Sequence, residues 1–159
     1  MDELLKLLKA NALETTANLA RMLNLSEPDV KARITEYERT GIIRGYQAIV
    51  NTDDLDLPIV EAVIEIKVTP ERDGGFNRIA ERISKFPEVD ALHLMSGTYD
   101  LLAVVNGRNL KQVALFVSAK LATIEGVLST STHFMLKTYK EHGVLMQAEA
   151  QNERIQVSP

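Results

Sequence analysis

The chain has 159 residues, 45% of them hydrophobic and 25% charged, with no Cys, no Trp and a formal net charge of −4. One ordinary domain or two small ones fit that length, and the missing Cys excludes a disulfide scaffold and any thiolate metal site. No apolar run reaches the ~18 residues of a spanning helix and the start Met1-Asp2-Glu3 lacks the basic, then apolar, character of a signal peptide, so the expectation is a cytoplasmic globular protein with no membrane partner.

Residues 1–50 hold seven Lys/Arg and seven Asp/Glu, and residues 51–159 hold eleven and fifteen, so the acidic excess lies entirely beyond the first fifty. Within those fifty the helical period dominates. Leu4, Leu5, Leu7, Leu8 and Ala12 predict a short amphipathic helix, and Thr15 caps a second that carries Leu19, Ala20 and Leu23 on one face. Asn24 suits the left-handed residue that closes a helix. Ser26 caps a third helix, with Pro28 in its first turn, Asp29 at the capping-box position and Val30, Ile34 and Tyr37 facing inward. Gly41 ends it.

Ile42 to Val50 then reads as an extended strand, and residues 51–58 as an acidic connector. Val60, Ala62, Ile64, Ile66 and Val68 alternate with polar residues, the pattern of a strand with one wet face. Asp73-Gly74-Gly75 breaks it. Phe76 to Phe86 has helical spacing, ended by Pro87. Val89 to Ser96 and Asp100 to Asn106 are two more strands, joined by Gly97-Thr98-Tyr99. Leu110 to Ile124 is a second helix closed by Gly126, and Val127 to Tyr139 a long fourth strand. The order β-α-β-β-α-β is ferredoxin-like. The predicted fold class is therefore α+β, with a helix-turn-helix over residues 1–45, a strand and connector over 46–58, a ferredoxin-like sandwich over 59–141 and a polar tail over 142–159.

Three short helices with a tight second turn make a helix-turn-helix, whose third helix can enter a major groove while its neighbour rests on the backbone. Ser26 at its start and the cations Lys31, Arg33, Arg39 and Arg44 are the candidate DNA contacts. Glu27 and Asp29 sit where they would oppose phosphate, although acidic residues there also complement the helix dipole. The second half offers no catalytic set: His93, His133 and His142 are scattered, Ser129-Thr130-Ser131-Thr132 suits a strand, and Gly74-Gly75 lacks the spacing of a phosphate loop. No enzyme, metal or cofactor is expected. The turn Ser96-Gly97-Thr98-Tyr99-Asp100 pairs amide donors with a carboxylate, complementary to the two charged ends of an amino acid, and the same residues also suit a plain tight hairpin.

Thr15-x-x-Asn18-Leu19-Ala20, Leu25-Ser26, Val30, Arg33, Gly41-Ile42-Ile43 and Gly45-Tyr46, followed by Ser96-Gly97-x-Tyr99-Asp100-Leu101 and Gly126-Val127-x-x-Thr130-x-Thr132, resemble the Lrp/AsnC family of transcriptional regulators over residues 1 to about 140. The resemblance implies a DNA-binding helix-turn-helix and a ligand-sensing domain (the RAM domain) in a homodimer or a higher even-numbered homo-oligomer. It implies double-stranded DNA as partner and an amino-acid effector held by Leu94, Gly97, Thr98 and Asp100, with Ala122 contributing nearby. Leu94 and Ala122 are apolar, which favours a hydrophobic amino acid. Two alternatives stand beside this. One is an enzyme similar to the sirohaem decarboxylases, with His93 and His133 and Arg78 or Arg108 converging on a tetrapyrrole. The other is a ligand-sensing or assembly protein that does not bind DNA.

Overall fold

Helical periodicity in the first forty residues is realised, in a computed structural model that describes residues 1–55, 57–70 and 75–146, as α1 (Glu3–Ala10), α2 (Thr16–Leu23) and α3 (Glu27–Arg39). The caps fall where the sequence places them. Thr15 Oγ1 accepts from Asn18 N at 3.2 Å, and Ser26 Oγ accepts from Asp29 N at 3.2 Å. Asn24 closes α2 in the left-handed region (φ 53°), and Gly41 (φ 73°) follows α3. Leu4, Leu8, Leu19, Ala20 and Val30 are buried together, with Leu23, Leu25, Ile34 and Tyr37 packed against them. Each large side chain so buried stabilises the unit by about 1.5–3 kcal/mol. The tyrosine hydroxyl of Tyr37 donates to the Asp2 carboxylate, tying the start of α1 to α3.

Residues 1–50 form one unit and a second begins at Asn51. The strand expected over 42–50 is absent: the unit holds no strand, and residues 44–50 take no regular structure.

The second unit contains β1 (Val60–Val68), α4 (Asn77–Ile83), β2 (Val89–Leu94), β3 (Leu101–Gly107), α5 (Leu110–Phe116) and β4 (Val127–Phe134). They form a four-stranded antiparallel sheet of order β2-β3-β1-β4, the ferredoxin-like arrangement. Alternation decides its faces. Ala62, Ile64, Ile66 and Val68 of β1 and Leu101, Ala103 and Val105 of β3 face the helices, where Ile79, Ile83, Val113 and Phe116 complete the core.

Three expectations are corrected. Helix α5 is regular only to Phe116 and continues as a π-helical turn over Val117–Leu121, so the predicted helix to Ile124 has two pitches. Strand β4 ends at Phe134 rather than Tyr139. Its partner β1 begins at Val60, and the chain before it is folded by the bonds Leu57 N to Leu55 O and Ile59 N to Leu57 O, both 2.8 Å, which leave no ladder to extend. The residues from Lys140 are not simply a tail. β5 (Lys140–Glu141) and β6 (Val144–Leu145) form a hairpin whose two linking residues, His142 (φ 46°) and Gly143 (φ 92°), both have the positive φ that a two-residue turn favours. The predicted break at Asp73-Gly74, and the tail beyond Met146, lie outside the described residues.

Candidate functional site

The third helix turns Val30, Ile34 and Tyr37 to the core, so at 3.6 residues per turn its opposite side carries Pro28, Ala32 and Thr35, all exposed. Lys31 and Arg33 flank that outward line on either side, which is the arrangement a helix needs to lie in a groove bounded by two phosphate backbones.

The five predicted DNA contacts are not equally available. Ser26 Oγ is committed to the cap, accepting from Asp29 N and donating to Asp29 Oδ2 at 2.5 Å. Lys31 Nζ pairs with Glu27 Oε1 at 2.9 Å. Arg39 is held by Glu36 through two bonds, Nε to Oε2 at 2.8 Å and Nη2 to Oε1 at 2.6 Å. Arg33 makes no ion pair among the described residues, although its charge acts on Asp2 and Tyr37. The Arg44 guanidinium lies over Gly41, where a Cβ would stand 2.8 Å from Arg44 Cζ. Of the four predicted cations, Arg33 and Arg44 are therefore the two without an ion pair among the described residues. Exposed ion pairs such as Lys31–Glu27 are weak enough to exchange for a phosphate contact.

The acidic first turn has a structural role. Glu27 Oε1 accepts from Thr16 Oγ1 at 2.8 Å as well as from Lys31, so it fastens α3 to the first turn of α2. The Lys31 bond first, then the Thr16 bond, holds the Glu27 carboxyl below the usual carboxylate range. The Glu27/Lys31 spacing of four is legible in sequence; the Thr16–Glu27 contact, across eleven residues, is not. A shallow cleft on the same unit is lined by Glu14, Asn18, Arg21 and Met22, of which only Asn18 is among the motif residues.

In the second unit, Leu94, Gly97, Thr98 and Asp100 share one hairpin, and Ala122 follows the π-helical turn on a separate element. The hairpin is tied to β1. Met95 N donates to Asp100 O at 2.8 Å, Asp100 N to Ile66 O at 3.0 Å, and Val68 N to Asp100 Oδ2 at 2.9 Å. Asp100 is thus a structural acceptor in its own right. Leu94 is 59% exposed at the rim of β2, Thr98 is exposed, and Gly97 (φ 144°) has open space at the Cβ position. Within one chain, none of the five lines the groove formed by Leu55, Leu57, Ile59, Met135 and Leu136.

The sheet face away from the helices carries Ala91, His93, Leu102, Val104, Val63, Glu65, Ser131 and His133. Its apolar members on β3 are Leu102 and Val104, whereas Leu92 of β2 packs towards the helices. His133 Nε2 stands 3.5 Å from Glu65 Oε1 and 3.3 Å from Ser131 Oγ. Both candidate histidines are on this face but on opposite edge strands, β2 and β4, so they do not converge; Arg78 is on α4 against the other face, and Arg108 follows the end of β3. Among the described residues no group of three His, Cys, Asp or Glu is placed to hold a metal, and no helix is long and apolar enough to cross a membrane.

Two family profiles match the chain: winged helix-turn-helix DNA-binding over residues 3–44, and the Lrp/AsnC ligand binding domain over residues 61–145. The HTH-type transcriptional regulator YugG of Bacillus subtilis is 40% identical over 158 residues, covering 99% of this chain and 95% of its own. The transcriptional regulator NMB0573 of Neisseria meningitidis, solved as a complex with L-Met, superposes with a TM-score of 0.69 at 25% identity over 89% of this chain and 93% of its own. An AsnC family transcriptional regulator of Agrobacterium tumefaciens gives 0.67 at 26% identity, over 89% and 94%. These relatives are named as regulators, not enzymes.

Proposed function

The chain belongs to the Lrp/AsnC family of transcriptional regulators, and from that premise we propose that its helical unit grips double-stranded DNA through α3, while its sheet unit joins a second copy and responds to a hydrophobic amino acid. The observation that carries the DNA half is the disposition of α3, with its core side sealed by Val30, Ile34 and Tyr37, its far side exposed, and Lys31 and Arg33 to either side. Fifty residues with balanced charge make a modest electrostatic footprint, so affinity comes from two or more units engaging one DNA together.

Self-association follows from the bare sheet face. Val63, Leu102 and Val104 form an apolar centre bordered by His93, Glu65, Ser131 and His133. An apolar surface with a polar border is the composition of an interface core and rim. The amino-acid half rests on the hairpin at 94–100. Asp100 gives one oxygen to Val68 N, leaving the other for an ammonium, and the amides around Gly97 suit a carboxylate. The apolar Leu94 and Ala122, and the L-Met in the complex of the Neisseria meningitidis relative, favour an apolar side chain.

The test is the salt dependence of DNA binding by the full-length protein. Replacing Lys31 and Arg33 with Ala weakens binding and lowers the magnitude of the slope of log K against log[salt] by about one to two per protomer, since each phosphate contact contributes about 0.9. A slope unchanged by the double substitution removes α3 from the interface.

A further inference from the structure

The side chains left outward on α3 indicate which feature of a base pair this interface reads; the inference rests on the DNA-binding reading above. Of the charged groups on α3, Glu27 is held by Thr16 and Lys31 and Asp29 by Ser26; Arg39 falls on the outward side but pairs with Glu36 in the last turn, away from the N-terminal turns of a recognition helix that reach base edges. With those engaged, the positions opposite the core face are Pro28, Ala32 and Thr35, exposed and spaced i, i+4, i+7. At 1.5 Å rise per residue they span about 10 Å, the height of about three base pairs.

Pro28 and Ala32 present only C–H groups, and Thr35 presents a methyl beside its hydroxyl. A G·C pair shows the major groove two acceptors and an amino donor, polar groups that such a surface would cover without pairing. An A·T pair shows two acceptors and an amino donor as well, and adds the one apolar feature of the groove, the thymine 5-methyl, which such a surface can contact. The flanking Lys31 and Arg33 address phosphates and carry no sequence information. We propose that α3 discriminates sequence by apolar contact of Pro28, Ala32 and Thr35 with thymine 5-methyl groups, so that each half-site carries A·T pairs at about three adjacent positions.

Uracil in place of thymine removes only the methyl and keeps the pairing, so it tests the idea atom by atom. Duplexes enriched from a random-sequence pool by the full-length protein are resynthesised with single thymine-to-uracil changes, and affinities are compared at one salt concentration. The expected result is a loss of roughly three- to five-fold at each contacted thymine, the ratio that corresponds to one buried methyl, confined to a short block in each half-site. Thr35→Ser keeps the hydroxyl and deletes the side-chain methyl. In that variant the uracil penalty facing position 35 disappears and the others persist. If specific binding survives every uracil change, or if the enriched block is G·C, the proposal is overturned and DNA binding stands. If the folded protein enriches no duplex at any salt concentration, the DNA-binding reading itself fails.

Discussion

Glu27 shows how a residue that looks wrong for DNA earns its place in the fold. Its carboxylate joins Thr16 of α2 to Lys31 of α3, and these bonds hold its pKa below the ordinary carboxylate range. A depressed acid contributes stability that is complete above its unfolded pKa and is lost as pH falls through the folded one. The thermal midpoint of wild type should therefore exceed that of Glu27→Gln near neutral pH, with the gap closing as pH falls through and below the usual carboxylate range. Circular dichroism melts at several pH values measure it, and a gap independent of pH contradicts the assignment. Asp100 calls for a finer substitution, because its bond to Val68 N makes Asp100→Ala a structural lesion. Asp100→Asn keeps an acceptor oxygen and removes the charge. It should leave the melting temperature without ligand close to wild type and abolish any rise that a hydrophobic amino acid such as L-methionine produces in wild type. A rise that survives in the variant, or that no amino acid produces in wild type, excludes this hairpin as the effector site. The residue identities at both places were legible in the sequence; their partners were not, since Thr16 and Val68 are distant in the chain and only the packed structure brings them near.

The helices of the first unit were most legible at their ends. Thr15, Ser26, Asn24 and Gly41 bound α2 and α3 as the capping patterns predict, because a cap is a local interaction among neighbours in sequence. Replacing Ser26 with Ala should cost about 1 kcal/mol of stability. It should weaken DNA binding without changing its salt slope, because Ser26 spends its hydroxyl on Asp29. A reduced slope would instead make Ser26 a phosphate contact. Chemical denaturation and binding measured on the same preparation separate the two. The misread elements share a different cause. Strand β4 stops where its partner stops, at the bent chain before Val60, and the π-helical turn after Phe116 accommodates Leu121 and Ile124 in the core. Neither constraint is local. The hairpin at 140–145 did carry a local sign, Gly143 after His142, but its strands are two residues each and too short for an alternation to show.

At the scale of the whole molecule, the chain has two units with separate cores. The order of the sheet was legible because alternation and helical spacing follow one another along residues 60–134. What the bare face does was only partly legible, because whether Leu92 or Leu102 lies on it depends on strand register. Val104 sits in the row Ala91, Val104, Val63 and His133, near the centre of that face. Val104→Asp should shift the sedimenting species from an even-numbered oligomer towards the single chain. The DNA affinity falls with it, since linked units no longer bind as one. A wild-type protein that sediments as a monomer at micromolar concentration contradicts assembly through this face.

Sequence recognition through α3 is tested by enriching fragmented genomic DNA with the purified full-length protein and footprinting whatever is retained. A small set of protected sites is expected, with an affinity that falls steeply with salt and falls further when Lys31 and Arg33 are replaced. A folded protein that retains no fragment above background, or retains fragments without protection at any position, removes sequence recognition from α3.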